Sequence, residues 1–530
     1  MFAYQGNVFA FEQTIQIFRS FIQSFKDKNN FILFASAYVV CILSYSYLFF
    51  GTVYNNHDFP NSFYRNYPSF VTLQEGRFIG DIIYFLQGGS GIPTLHMAIA
   101  VAIQLINGFL AASLLEIRGN FAKFCLICIF AIHPAITDYY SWGGCGIIFC
   151  LGDTFAIASV LFLFKRGLSN MFVSALFIVC AVATYQPKVS LFAALLILAC
   201  MSKVLNIANI DLLSNITNKN SKIFFRSFFR IAGVGLVSIV IYYLFFKLTV
   251  PEIQQTSGSH RLHINNTLPD LLKAIGNIFS YTNKYFFSNV NFLHPNELFL
   301  TAIITAFFFV FGIFQMLKTR GQSKILIITL FTTLFLLLPF AMNLVFIITK
   351  KAYATDGRFF GAYALVLGYF LSFLVDKKIK IFYLISVFLI LFFIFDNAQY
   401  SYRAYLQNRF EFSFATRIVA RLEEIIDPSK SYKLVSLGNL PWSDIQTALS
   451  RKGNMRTREV VANYDQPGFI HYRRAEYLNF LLGRQAFTAS SSADQANVKK
   501  LIGERKIYLS RWPHTNSIII TPDNCIVLSL

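Results

Sequence analysis

Apolar runs of about 20 residues recur along this chain, and no other feature restricts its fold as strongly. A helix of that length crosses roughly 30 Å of hydrocarbon, where every backbone polar group must bond internally. Such runs fall near 31–51, 94–115, 121–137, 145–164, 170–185, 188–204, 231–249, 298–317, 325–346, 359–375 and 381–396. About eleven transmembrane helices are therefore expected, those at 170–185 and 188–204 being the shortest. Composition agrees: 14% of the 530 residues are charged and mean hydropathy is +0.53, whereas soluble domains are roughly a quarter charged. The 61 Phe suggest broad lipid-facing and interfacial surface. A net charge of +20 fits inward-facing Lys and Arg beside anionic lipid, so nucleic acid is not expected as a partner.

Ahead of the first run, Val8, Phe11, Ile15, Phe18, Ile22 and Phe25 repeat at helical spacing opposite Glu12, Gln16, Arg19 and Gln23. Residues 1–30 thus read as an amphipathic helix on the membrane surface rather than a cleavable signal. Placing the N-terminus inside puts Arg118, Lys165, Arg166, Lys203, Lys318, Arg320, Lys377 and Lys378 in cytoplasmic segments, and the longer outward loops hold fewer basic residues. The positive-inside rule favours that orientation, and an odd number of spans then leaves the C-terminus outside. Most of the eight cysteines lie within apolar runs; Cys125 and Cys128 form a C-x-x-C without a second pair or a nearby His, and read as small buried hydrophobes. From about 397 the composition turns to that of a soluble domain. Phe414 to Ile426 reads as an amphipathic helix, and "KLVSLG" (433–438), "SIII" (517–520) and "CIVLSL" (525–530) as strands of a small α/β or α+β domain. The expected organisation is a surface helix over 1–30, a membrane module over 31–396 and a soluble outward domain over 397–530.

Ionisable residues then concentrate on the outward face. The first outward loop holds His57, Asp58, Arg65, Glu75, Arg77 and Asp81. A carboxylate there can act as general base for a hydroxyl, and an arginine fork suits a phosphate. "IHPAITDYYSWGGCGIIFCLGDTFAIAS" (132–159) puts Asp138 at the end of the third span and Asp153 inside the fourth. An unpaired carboxylate at that depth faces a cavity or a partner, and Gly143, Gly144, Gly146 and Gly152 suggest bent or re-entrant backbone around one. "TYQPKVS" (184–190) reads as a tight turn carrying Gln186 and Lys188 at the outer face. "TKKAYATDGRFFGAY" (349–363) places Lys350, Lys351 and Arg358 where the topology rule disfavours cations, which calls for an anionic partner such as a lipid phosphate.

An acidic first outward loop, a cavity at membrane level and a soluble outward tail together resemble the GT-C type of glycosyltransferase in layout. More closely, the chain resembles the serotype-converting O-antigen glucosyltransferases of phages and bacteria. The resemblance rests on "NNHD" followed by "EGRFIGDIIYFL", on "HPAITDYY" with "GDTFAIAS", and on "TYQ", all within roughly the first 200 residues. Asp153 and Gln186 match the family pattern. Asp138 stands where a Glu is usual, and Asp58 alone represents a pair of adjacent acids, His57 taking the other place.

The resemblance implies a GT-C-like inner-membrane enzyme that moves a glucosyl group from undecaprenyl-phosphate sugar to lipid-linked O-antigen on the periplasmic side. Asp58 is the implied base, with Asp81, Asp138 and Asp153 as the other candidate catalytic acids. Arg77, Gln186, Lys188, Lys350, Lys351 and Arg358 are the candidate substrate and phosphate ligands. No cofactor and no metal are expected; a companion flippase and a donor-synthesising glucosyltransferase are the expected partners. Two rival readings stand beside it: a GT-C transferase acting on lipid A or another envelope glycan, and a transporter of lipid-linked sugars. A transporter would carry paired polar residues and broken helices along several spans.

Overall fold

The computed structural model describes residues 27–51, 77–86, 93–141, 145–165, 167–208, parts of 233–248, 267–286, 293, 295–318, 324–348, 360–438, 474–504 and 506–530. Nearly all of the expected surface helix over 1–30 lies outside them. Among the described residues, six helices are long and apolar enough to cross a membrane: Thr94–Leu114, Gly146–Leu163, Lys188–Asn206, Pro295–Leu317, Lys324–Met342 and Lys380–Ile425. Asn120–Ile132 and Pro134–Tyr140 make a seventh if counted as one span bent by 45°. Lys28–Ser44, Leu168–Thr184 and Gly361–Asp376 are apolar but shorter, and helical residues recur over 233–245. The structure thus supports a multi-helix membrane protein, with six or seven helices among the described residues long and apolar enough to cross, beside the eleven apolar runs of the sequence.

The bend at Ile132 has a chemical cause. Pro134 cannot continue the helix, so carbonyls near its end lose their usual donors. Asn397 supplies one: its Nδ2 donates to the Ile132 carbonyl at 2.6 Å, and its Oδ1 accepts from the Thr137 hydroxyl at 2.8 Å. Tyr45 and Tyr140 both donate to the Ala131 carbonyl, at 3.2 and 3.3 Å. Re-entrant backbone survives in a membrane when side chains satisfy it in this way. The Gly361–Asp376 helix is buried on every side. Phe370 stacks on Phe308 with centroids 4.1 Å apart, and Phe331 and Phe373 close the same cluster. Many of the phenylalanines therefore build the core as well as the lipid-facing surface.

Lys380–Ile425 is one 46-residue helix, about 70 Å long at 1.5 Å per residue. It runs through residue 397, where composition alone changes, and absorbs the amphipathic segment expected at 414–426. Tyr402 and Tyr405 on it pack on Tyr47, at 4.7 and 5.6 Å. Its end joins a mixed sheet of β1 (Tyr432–Leu437), β2 (Phe487–Ala489), β3 (Ile518–Ile520) and β4 (Cys525–Ser529), in the order β2-β1-β4-β3. β1 is parallel to both β2 and β4, and β3 is antiparallel to β4. Period-two alternation divides the sheet between two small cores. Leu434, Ile526 and Leu528 face the end of the long helix (Phe414, Ile418, Leu422), while Val435 and Val527 face Val498 of the Ser492–Gly503 helix. The unit is α/β, with helices on both faces. The strands expected at 433–438, 517–520 and 525–530 are present, β2 being the one the sequence did not announce.

Candidate active site

Arg77 opens the helix Phe78–Leu86, whose apolar sequence FIGDIIYFL packs against the Gly146–Leu163 and Leu168–Thr184 helices. Its Nε donates to Gln186 Oε1 at 3.3 Å, and its guanidinium carbon stands 4.8 Å from the centre of the Tyr185 ring. Tyr242 adjoins Gln186 and packs on Phe78, the residue after Arg77, with ring centres 6.3 Å apart. Asp81, one turn further on, is buried, and its amide bonds the Arg77 carbonyl at 3.2 Å. An arginine held from two sides keeps its fork in one orientation, as phosphate recognition requires.

The turn that holds Arg77 has the expected position. The Leu168–Thr184 helix ends, Tyr185 is extended, and Pro187 leads into the helix that begins at Lys188. The amides of Lys188, Val189 and Ser190 bond the carbonyls of Tyr185, Gln186 and Pro187 at 3.0 to 3.1 Å. Lys188 departs from expectation. It is buried rather than at the outer face: its Nζ donates to Asp153 Oδ1 and, at 2.7 Å, to the Tyr139 hydroxyl. The ion pair has side-chain exposures of 2% and 0%. Asp153 is therefore paired, so of the two expected surroundings, a cavity or a partner, the structure shows the partner. Gln104, itself bonded by Asn107, adjoins it.

Gly152 explains how the lysine fits. A methyl there would stand 2.5 Å from Thr184 Oγ1 and 3.1 Å from Lys188 Cε. Gly152 lies within the continuous Gly146–Leu163 helix, so it marks a close approach of helices and not a bend. Gly361 does the same for Tyr139, whose hydroxyl would be 2.6 Å from a methyl at that position. Phe149 joins the two sets: Tyr139 and Tyr185 pack on it at 5.4 and 5.0 Å. Asp138, beside Tyr139 on the short helix Thr137–Tyr140, is buried, and Ser141 Oγ bonds its carbonyl at 3.1 Å and its carboxylate at 3.4 Å.

His57, Asp58, Arg65, Lys350, Lys351 and Arg358 lie outside the described residues. The ends of their loops do not. The first loop leaves at Gly51, which abuts Tyr405, and returns at Arg77. Before the second loop, the Val345 amide bonds Ser190 Oγ at 3.1 Å, and Phe346 packs on Phe360 beyond it at 6.1 Å. Arg77 and Val345, near one end of each segment, thus both bond the Tyr185–Ser190 turn. Cys125 and Cys128 are free and buried, and among the described residues no group of three or more His, Cys, Asp or Glu stands together as a metal would need.

The profile of the family described as "Glucosyl transferase GtrII" matches residues 46–376, well over half of the chain. The chain belongs to the GtrII glucosyl transferase family. No curated protein and no solved structure matches it. The GtrII match begins in the Ser46–Phe50 helix and ends with the Gly361–Asp376 helix. It therefore contains residues 52–76 and 349–359 and the whole Arg77–Gln186–Lys188 cluster, and leaves the long helix and the sheet outside. Within the GtrII region, sequence reasoning missed Tyr139, Tyr185 and Tyr242. The available signal was an aromatic next to each candidate polar residue, in Asp138-Tyr139 and Tyr185-Gln186.

Proposed function

We propose that this glucosyl transferase takes its glucosyl group from undecaprenyl-phosphate glucose and passes it to a sugar of lipid-linked O-antigen, on the periplasmic side of the bacterial inner membrane. The observation that carries this reading is Arg77, held by Gln186 and Tyr185 at a turn whose Ser190 also bonds the Val345 amide. In this reading the shorter apolar helices also cross, giving about eleven passes with the N-terminus cytoplasmic and the sheet domain periplasmic. A companion flippase and a donor-synthesising glucosyltransferase supply the lipid-linked sugar.

In the reaction, an acceptor hydroxyl oxygen attacks the anomeric carbon, and the bond from that carbon to the phosphate oxygen breaks. Asp58 takes the hydroxyl proton. The bonding electrons leave with undecaprenyl phosphate, whose growing charge faces Arg77, Lys350, Lys351 and Arg358. Fixed cations aimed at charge that develops in the transition state lower the barrier. Asp81, one turn past Arg77, and Asp138, beside Tyr139, are the competing bases.

The test combines mass spectrometry of lipopolysaccharide with assays on purified protein. Asp58→Asn should insert normally, bind donor and lose transfer by about 10²–10⁴-fold, the usual contribution of a general base. Arg77→Ala should abolish most activity while Lys377→Ala changes little. Normal transfer by Asp58→Asn would move the base to Asp81 or Asp138. Periplasm-dependent reporters fused after Leu530 and after Arg320 should be active and silent respectively; the reverse would invert the active face.

A further inference from the structure

We infer that Asp153, Lys188 and Tyr139 form a charge-neutral brace that positions the donor-phosphate residues Arg77 and Gln186 without touching the donor. The inference rests on the reading of Arg77 as a phosphate ligand, and it removes Lys188 and Asp153 from direct contact with the reactants.

Geometry supplies the first reason. Lys188 stands two residues beyond Gln186, and its amide bonds the Tyr185 carbonyl at 3.0 Å. Fixing its side chain fixes the turn whose Tyr185 ring and Gln186 carboxamide hold Arg77. Asp153 on the Gly146–Leu163 helix and Tyr139 in the second half of the bent span receive the lysine from two directions. Gly152 lets the Lys188 helix approach that closely, and Gly361, on a fourth helix, leaves room for the Tyr139 hydroxyl. A displacement at the turn would pass directly to the guanidinium.

Charge supplies the second reason. The lysine and the aspartate are shut off from solvent, at 2% and 0% side-chain exposure, and each neutralises the other. A neutralised, enclosed cation offers little field to a phosphate outside, and a fully enclosed carboxylate already paired with a lysine is not available to take a proton from an acceptor hydroxyl. Removing one partner strands the other charge inside the membrane module, which is far more costly than removing both.

The experiment compares Asp153→Asn, Lys188→Met, the apolar pair Asp153→Leu with Lys188→Met, and the mild Tyr139→Phe, all in nanodiscs. Thermal unfolding without ligand, donor KM and kcat are measured for each. Each single charge variant should melt well below wild type and lose about 10²-fold in kcat/KM, the scale of a small misplacement. The apolar pair should recover both properties to within about tenfold in kcat/KM. Tyr139→Phe should raise donor KM several-fold at unchanged kcat, the signature of weakened donor binding. In an Arg77→Ala background, Tyr139→Phe should cost less than about twofold, because its effect runs through Arg77.

A double variant that melts like wild type yet stays as inactive as Asp153→Asn overturns the brace, as does a Tyr139→Phe loss in kcat that persists without Arg77. If the double variant does not fold, the Tyr139 and Arg77 measurements decide. Failure of wild type to use undecaprenyl-phosphate glucose overturns the donor reading alone, since the recovery of melting temperature is read without substrate.

Discussion

Two lysine–aspartate pairs stand at opposite extremes of this molecule. Lys188 and Asp153 are enclosed in the membrane module, with side-chain exposures of 2% and 0%. Lys433 and Asp494 meet at 2.9 Å on the sheet domain, with exposures of 52% and 17%. The chemical groups are identical and the consequences differ. In the enclosed pair, each ion is the other's main solvation, so the pair is indispensable once either charge exists. In the exposed pair, water can replace either partner, and salt screens what attraction there is. Asp494 does not even depend mainly on its lysine. Its carboxyl is held down at about 2, first by the Ser491 hydroxyl and then by Lys433. Ser491 and Asp494 together form the capping box of the Ser492–Gly503 helix.

The largest effect should come from breaking the enclosed pair on one side. Lys188→Met leaves Asp153 uncompensated and should cost about 3–5 kcal/mol in unfolding measured in nanodiscs; a cost below about 1 kcal/mol would mean the pair is solvated after all. Next, Asn397→Ala removes the groups serving Ile132 and Thr137 and should cost about 1–3 kcal/mol per stranded buried partner. Proteolysis near the 132–134 bend would report it as well. Gly152→Ala overpacks the Lys188 passage and should cost about 1–3 kcal/mol. Unchanged stability there would show that Thr184 and Lys188 can step aside.

Smaller effects belong to the exposed pair. Ser491→Ala should cost about 1 kcal/mol through the lost helix cap. Lys433→Met should be close to neutral at neutral pH. The acid response has a definite sign: the folded pKa of Asp494 is depressed, so its stabilisation is complete above the ordinary carboxyl range and is lost as pH falls from near 4 through about 2. Circular dichroism of wild type and Asp494→Asn should therefore differ at neutral pH and converge near pH 2. A difference that grew on acidification would break the comparison.

The two pairs also differ in how far a sequence can announce them. Helix positions, the Tyr185–Ser190 turn and three of the four strands come from local pattern: apolar runs, X-Pro punctuation and period-two alternation. The pairing of Lys188 with Asp153 does not, because they lie 35 residues apart on different helices and their meeting depends on helix register. Gly152 was ambiguous for a related reason, since a glycine that bends a chain and one that admits a neighbour look alike in one dimension. The helix Leu268–Phe286 escaped hydropathy because its apolar residues line one face only, so its average falls below that of a span. Asn397, at the point where composition turns polar, gave no sign that it would be buried against a bend 265 residues earlier in the chain. Recognition came through short polar motifs, and the matched family region, 46–376, contains all of them.

The unbroken helix Lys380–Ile425 makes the bearing of the sheet a matter of counting. A helix is a screw thread: each residue rotates the next by about 100° and advances it by about 1.5 Å. One residue inserted between the part that holds Asn397 and the part that meets the sheet would swing the sheet about a quarter turn around the membrane module, and a second would nearly reverse it. Four together come back to within about 40° of the starting azimuth, though lifted by about 6 Å. The length of this segment is thus under a periodic constraint, tighter than any on its individual exposed side chains. Whatever the sheet faces, it faces because of the number of residues in the thread.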